Sequence, residues 1–408
     1  MKKALFLLLP TLMFAESLKD ILDFAQKNNS ILESKKYIKN AKESEVASRK
    51  SAYYPKIDIG ASYKNVSDAS LFQIEDTYAL YGKFEVDIYD GGVKSALHDK
   101  AKNELLSSVH DELSSKESLS LDITKNFYTI LSLKSRIKAK LDAQASLLEQ
   151  LERVKQFYEA RLATEDDIQR LRASYDKESY EIESLNFELI SAKKYLELRV
   201  GKNIDTLESS SFKDVTSLEY EQSDSIKSLT YQETAIKKGA EAQDAIYYPN
   251  IKLEDIYTKY EYGSVDANNP LKIDKQNVAM LSLNMTIYDN SASSHAREAL
   301  ILNAKALNEQ IKYRINEQKV EQEISRQRIE SQKLRIKSAK SSLVASSSAF
   351  TTVDEKYKAR IVDYVTYLDA LSAKTEAMAT YESSLHELQI AYAIYYFCSG
   401  KKIEEFLE

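Results

Sequence analysis

Tryptophan is absent from the 408 residues, and the chain carries one cysteine, four prolines, four histidines, five methionines and eight glycines. One cysteine excludes a disulfide framework and any cysteine-based zinc site. So few histidines and methionines leave little for transition-metal binding. Glycine and proline are the main punctuators of secondary structure, and an ordinary chain of this length carries several times as many. Their scarcity, with abundant Lys, Glu, Leu, Ala and Ser, points to long uninterrupted helices. A basic face is missing too: the net charge of −6 argues against nucleic-acid binding. No run of eighteen apolar residues follows the first fifteen positions; the longest, Ile390 to Cys398, is half that. At 43% hydrophobic and 29% charged, the chain is nonetheless far too apolar to be disordered.

Residues 1–15 read as a secretory signal peptide. Lys2 and Lys3 form a charged start, Ala4 to Phe14 is an apolar run broken by Pro10, and Ala15 is a small residue for cleavage. Glu16 rather than Cys follows, so no lipid anchor is expected there. An exported chain without a transmembrane helix is then either a soluble protein or a β-barrel.

The remainder is written twice. Ala52-Tyr53-Tyr54-Pro55-Lys56-Ile57 recurs as Ile246-Tyr247-Tyr248-Pro249-Asn250-Ile251, and Ile88-Tyr89-Asp90 as Ile287-Tyr288-Asp289. Tyr158-Glu159-Ala160-Arg161-Leu162 recurs as Tyr357-Lys358-Ala359-Arg360-Ile361, and Gly201-Lys202 as Gly400-Lys401. The spacing is about 194 residues at the first match and about 199 at the others. The extra residues therefore fall around Tyr262 to Gln276, where Gly263, Asn268, Asn269 and Pro270 signal a longer loop. The expected organisation is a first repeat over 16–220 and a second over 221–408.

Each repeat has one internal order. Leu18 to Tyr54 is a helical stretch that must end before Pro55, which pushes its predecessor out of the helical region. Ile57, Ile59, Ala61 and Tyr63 alternate with polar residues as a strand, and Tyr78 to Ile88 alternates likewise until Asp90-Gly91-Gly92 stops it. From Val93 to about Tyr158 there is neither Gly nor Pro. Leu106, Leu113, Phe127, Leu141 and Leu148 share one heptad position, and Val109, Ile123, Ile130, Ile137 and Leu151 the one three residues on, a narrow coiled-coil seam. A turn near Leu162 to Asp166 leads into a second helix that Gly201 ends. The second repeat predicts strands near Ile251 to Tyr262, with a change of phase near Asp255 that suggests a bulge or a shorter membrane-facing stretch, and near Asn277 to Tyr288. Helices follow near Ser291 to Tyr357 and Tyr364 to Ser399. The helix from Leu307 to Leu343 is polar on most faces, which suits the wall of a water-filled tube and equally a solvated stalk.

The strands separate these two. Each is about as long as a tilted bilayer-crossing strand, and one face of each is apolar, as in Leu281, Leu283, Met285 and Ile287. Four strands cannot close a barrel, and an open sheet edge cannot sit in lipid. Membrane-embedded strands would make an oligomer a necessity. The rival reading, an exported periplasmic coiled-coil adaptor or scaffold outside the bilayer, should carry compact Gly-rich β-domains, for which this chain has too few turns.

The signal peptide, the Tyr-Tyr-Pro before each first strand, the Ile-Tyr-Asp-Gly-Gly before the first long helix and the duplicated hairpins resemble the TolC family of outer-membrane efflux proteins, over essentially the whole chain after residue 15. The resemblance implies a mainly α protein with β: a homotrimer whose protomers each give four strands to a shared twelve-stranded membrane β-barrel. Long coiled-coil helical hairpins would continue it as a periplasmic α-barrel. It also implies a passive, non-enzymatic exit duct without cofactors, set in outer-membrane lipid. Its partners would be a periplasmic adaptor (membrane fusion) protein and an inner-membrane pump of the RND, ABC or MFS type.

The resemblance further implies an acidic periplasmic gate at the two helix–helix turns. Asp369, in a Leu-Asp-Ala context, falls on the inward acidic position, and Asp167 on that of the first turn beside Asp166. A second acidic position is Thr366 here and a basic one is Val362, so the family's closed-state ion pairs cannot be intact; Asp363 is placed to replace some of the charge. Three symmetry copies of Asp369 would repel one another and favour cations. For Asp166 and Asp167 a plain helix-start role is equally open. The adaptor would dock at the tips, where Arg161-Leu162 and Arg360-Ile361 carry Arg in place of the family's common Gly. Gly91-Gly92 lacks a following Gly-Lys-Ser/Thr and is no phosphate loop; His98, His110, His295 and His386 are scattered; Cys398 sits in an apolar helix end and reads as buried and inert.

Overall fold

The computed structural model describes residues 16–68, 70, 73–214, 217–263, 270 and 272–408; the signal-peptide reading of residues 1–15 and the loop residues Asn268 and Asn269 lie outside them. The element order is α1 (Leu18–Asn28), α2 (Ser30–Ser51), β1 (Lys56–Asn65), β2 (Asp76–Asp90), α3 (Val93–Glu159), α4 (Glu165–Val200), α5 (Asp224–Asp244), β3 (Asn250–Tyr262), β4 (Lys275–Asn284), α6 (Ala292–Lys358) and α7 (Tyr364–Cys398). The order helix, strand, strand, long helix, return helix thus occurs twice. At 67 residues each, α3 and α6 run about 100 Å. Among the described residues no helix is long and apolar enough to cross a membrane.

Two compact units form, each drawing on both halves of the sequence: Met1–Ser34 with Glu112–Asp224 and Arg314–Glu408, and Lys35–Asp111 with Ser225–Tyr313. In the first, α1 lays Leu18, Ile21, Leu22 and Ala25, all inaccessible to solvent, into a core with Leu196 and Val200 of α4, Phe127 and Tyr128 of α3 and Tyr395 and Tyr396 of α7. A second core near the hairpin ends gathers Leu147, Leu151 and Val154 of α3, Leu171 of α4 and Tyr367 and Leu371 of α7. Gly201 takes φ 85° and donates its N–H to Glu197 O, closing α4 in the left-handed conformation that glycine adopts without strain.

The second unit holds the antiparallel sheet, in the order β1-β2-β3-β4. Its long helices start at the Ile-Tyr-Asp motif. Asp90 accepts hydrogen bonds from Gly92 N (3.0 Å) and Lys94 N (2.6 Å), and Asp289 from Ser293 N (2.9 Å) and the Tyr247 hydroxyl (2.8 Å). The motif is therefore an aspartate cap on each 67-residue helix. The two residues after it turn through positive φ, Gly91 and Gly92 in one copy and Asn290 and Ser291 in the other.

Four expectations are corrected. The first helix is not continuous: Asn29 is extended (ψ 127°), and its Oδ1 accepts from Ile31 N (2.8 Å) and Leu32 N (3.3 Å). It caps α2 and ends α1, while its Nδ2 donates to Arg199 O (2.7 Å). The fourth strand stops at Asn284, not Tyr288. Its last partner is Asn250, and Pro249 just beyond has no N–H to extend the ladder. The register shift lies in β2 between Asp87 and Tyr89, whereas β3 pairs without interruption through Asp255. The polarity change at Asp255 is thus a change of side chain, not of backbone. Finally, the two rails of the heptad seam are sealed unequally: Ile123, Ile130, Ile137 and Leu151 are buried on one, while on the other Phe127 is buried but Leu113, Leu141 and Leu148 remain exposed on this single chain.

Candidate functional site

Both hairpin ends in the first unit are built alike. At the end of α3, Arg161 N donates to Tyr158 O (2.9 Å) and Leu162 N to Phe157 O (2.7 Å). At the end of α6, Arg360 N donates to Tyr357 O (3.0 Å) and Ile361 N to Lys356 O (2.8 Å). These are Schellman closures, and they require a left-handed residue before the last donor. Arg161 and Arg360 fill that place, both at φ 61°. An L side chain there costs about 1 kcal/mol that glycine avoids. The residues that follow, Leu162 and Ile361, are exposed at 60% and 70%.

The return helices then begin on side-chain caps. Thr164 Oγ1 accepts from Asp167 N (3.3 Å), and Asp167 Oδ2 accepts from Thr164 N (3.0 Å) and its hydroxyl (2.8 Å), a reciprocal capping box. Asp363 caps α7, accepting from Thr366 N (2.9 Å) and Oγ1 (2.7 Å). The Thr366 hydroxyl and amide hold the Asp363 carboxyl below its ordinary range. Asp166 pairs with Arg170 at 2.8 Å. Each of these three acids therefore has a local structural task. Asp369, one turn into α7, is exposed and forms no ion pair among the described residues.

The two hairpins meet across a cleft of about 250 Å³ lined by Phe157, Leu162 and Asp167 from one and Tyr357, Arg360 and Asp363 from the other. The Arg360 guanidinium lies 4.1 Å from the Phe157 ring centroid, and that of Arg170 lies 5.5 Å from the Tyr364 ring. Beneath them Tyr357 stacks on Tyr367 (4.9 Å) and Phe350 leans on Tyr367 (5.7 Å). Burial raises the Tyr367 phenol well above its ordinary value, and burial together with Asp167 raises that of Tyr357. The structure thus brings Asp166, Asp167, Asp363, Arg161, Leu162, Arg360 and Ile361 to one end of the first unit. The tyrosine stack and the two cation–π clasps were not foreseen; the spacing of Tyr357, Tyr364 and Tyr367 around the turn was the available signal.

The sheet carries a second constellation that sequence reading passed over. Directly opposed residues share a face of an antiparallel pair. One face holds Ile57, Ile59, Phe84, Val86, Leu253, Leu281 and Leu283. The other holds Lys56, Asp58, Lys83, Glu85, Lys252 and Glu254. Repetition of Lys-x-Glu, at Lys83-Phe84-Glu85 and Lys252-Leu253-Glu254, is the sequence signal that marks it.

Cys398 is buried, and burial pushes its thiol up to about 11. Among the described residues no group of three His, Cys, Asp or Glu side chains is placed to hold a metal.

No protein-family model and no curated protein matches the sequence. Solved structures do. The outer membrane protein VceC from Vibrio cholerae superposes with a TM-score of 0.83 at 13% identity, over 95% of this chain and 96% of its own. The Campylobacter jejuni CmeC outer membrane channel gives a TM-score of 0.85 at 13% identity, over 95% and 86%. The Neisseria gonorrhoeae MtrE outer membrane channel, described in its open state, gives 0.77 at 12%, over 95% and 89%. The fold of this chain is the fold of those channels.

Proposed function

We propose that this protein is an outer-membrane exit duct, a passive conduit of a tripartite efflux or type I secretion system that carries toxic compounds, drugs or secreted polypeptides out of the cell. The observation that carries this reading is the sheet. Its outer strands β1 and β4 each pair on one side only among the described residues; one face carries Ile57, Ile59, Phe84, Val86, Leu253, Leu281 and Leu283, interrupted by Asp255, Lys259 and Glu261, and the other gathers Lys56, Asp58, Lys83, Glu85, Lys252 and Glu254. Such a sheet is stable in lipid only when its edges are closed by further copies, with the charged face turned to water.

Apolar stripes elsewhere support assembly. Tyr180, Phe187, Ile190 and Leu198 on α4, and Val320, Ile324, Leu334 and Val344 on α6, all lie exposed on the single chain. Exposed apolar surface of this extent marks a protein interface. The unit proposed is a homotrimer with a twelve-stranded barrel, made from a chain with a signal peptide at 1–15 and repeats at 16–220 and 221–408. In this reading the tips form the periplasmic entrance. Asp369 is the free acid that faces the passage, with Asp363, Asp167 and Asp166 adding field from their capping positions. Arg161, Leu162, Arg360 and Ile361 present the surface to a periplasmic adaptor, which links the duct to an inner-membrane RND, ABC or MFS-type pump.

Membrane fractionation with crosslinking of the native, unboiled protein tests this. A detergent-resistant trimer in the outer-membrane fraction is the expected result. A soluble periplasmic monomer or dimer refutes it, and leaves the coiled-coil adaptor as the better account.

A further inference from the structure

The Lys-x-Glu pairs of β2 and β3 close into a ring. Glu85 and Glu254 are directly opposed across the two strands, an arrangement that repels if left alone. Lys83 lies 2.7 Å from Glu85 and 2.7 Å from Glu254; Lys252 lies 2.5 Å from Glu85 and 3.9 Å from Glu254. Register explains why. Lys83 is opposite Ile256 and Lys252 is opposite Asp87, so each lysine reaches one carboxylate along its own strand and the other diagonally across the pair. Plus and minus alternate around the ring and the four charges cancel. Around it on the same face, Lys56 pairs with Asp58 at 3.0 Å, and Asp87 with Lys94 of α3 at 2.8 Å. The whole belt is charge-compensated.

Stability alone does not call for this. A sheet face that meets only water needs no closed ring of partly buried ions, because exposed pairs contribute little to stability. The side chain of Glu254 is only 14% exposed, so its carboxylate depends on both lysines for compensation. Resting on the channel reading, we infer that the Lys83–Glu85–Lys252–Glu254 ring is a charge-balancing belt of the barrel lumen. By presenting balanced charge it lets solutes of either sign pass the membrane stretch and leaves discrimination to the acidic tips. Removing both lysines leaves two uncompensated carboxylates per protomer facing the water, a field that gathers cations. Removing both glutamates gathers anions.

The test is the reversal potential of the purified full-length trimer in a planar lipid bilayer under a KCl gradient, in an Asp369→Asn background so that the tip carboxylate does not mask the sheet. The K83M/K252M pair should raise the potassium-to-chloride permeability ratio about threefold, and E85Q/E254Q should lower it by a similar factor. Inverting all four (K83E, E85K, K252E, E254K) keeps every ion pair and should return the parental ratio; it supplies the readout if a neutralised pair fails to assemble. Unchanged ratios in both neutralised pairs, a shift of both in one direction, or an inverted ring far from the parent overturns the assignment while the channel reading stands. A parental trimer that does not conduct overturns the channel reading and the belt with it.

Discussion

Gln318 offers a sharp test of how the first unit is held together, because a single neutral side chain there satisfies four partners. Its Nε2 donates to the backbone oxygens of Glu221 (2.9 Å) and Cys398 (2.9 Å), and its Oε1 accepts from the Tyr220 hydroxyl (3.2 Å) and from Ser223 N (3.2 Å). The residue is 7% exposed. It thereby fastens the irregular segment after Leu218 to the end of α7 and to the middle of α6. In Gln318→Leu the volume is kept and all four hydrogen bonds are lost. The bond to Cys398 O is fully buried, and the carbonyl orphaned there costs about 1–3 kcal/mol. The other three partners are part-buried and cost about 0.5–1.5 kcal/mol each. The total is roughly 4 kcal/mol, which corresponds to about a thousandfold rise in the local opening constant. Native-state hydrogen exchange reads this at the Glu221 amide, which donates to Ser399 O (3.1 Å) and not to Gln318 itself. Gln318→Glu should be worse still above the carboxylate pKa, since it sets a negative charge against two carbonyl oxygens. A Glu221 exchange rate within about threefold of the parent in Gln318→Leu would refute the reasoning and assign the segment's stability to apolar packing instead.

Two further outcomes follow from the tips. Arg161→Gly relieves a left-handed φ of 61° and should stabilise its turn by about 1 kcal/mol, read as slower exchange at the Leu162 amide. Arg360→Gly should gain less, because it also removes the guanidinium from the Phe157 ring, and equal effects at both sites would contradict the clasp. The Asp363 cap should depend on pH. Its folded carboxyl is depressed by Thr366, so the cap's contribution is complete above the unfolded value of about 3.9 and is lost as pH falls through the folded one. Protection of the Thr366 amide should accordingly collapse in acid, while Asp363→Asn, which caps without a charge, should remove that dependence.

Much of this architecture is legible in the residues, and the parts that are not share a cause. Pro55, the Ile-Tyr-Asp motif and Gly201 act through the backbone of their own neighbours, so strand starts, helix starts and the end of α4 fall where the sequence puts them. Asn29 also acts locally, yet an asparagine inside a helical pattern is neutral until its side chain is seen capping Ile31 and Leu32. Gln318 was illegible: it sits in a helix polar on most faces, and its partners are about 80–98 residues away in sequence. The ring on the sheet needed the register between β2 and β3, and periodicity within one strand carries no register information. Position in the turns singles out Asp166, Asp167 and Asp363 as candidate gate acids, but their local capping and pairing explain why they are acidic without any gate. Asp369 is the one whose charge has no such local explanation.

The interleaving of the two compact units sets an order of events for the newborn chain. Neither unit can be finished from the first half alone, since one needs residues from Arg314 onward and the other residues from Ser225 onward. The central seam of the sheet joins Thr77 to Tyr262 and Asp90 to Asn250, partners separated by most of a repeat. While the first half emerges, β2 therefore waits with an open edge, and α1 waits for the α7 side of its core. Closing such long loops before any pairing repays them makes folding slow and exposes strand edges meanwhile. On the proposed reading, in which the chain crosses one membrane to reach another, this delay has a use. It keeps the polypeptide threadable until its last residues are delivered, and a version with β3 and β4 moved next to β2 by circular permutation would close its sheet early.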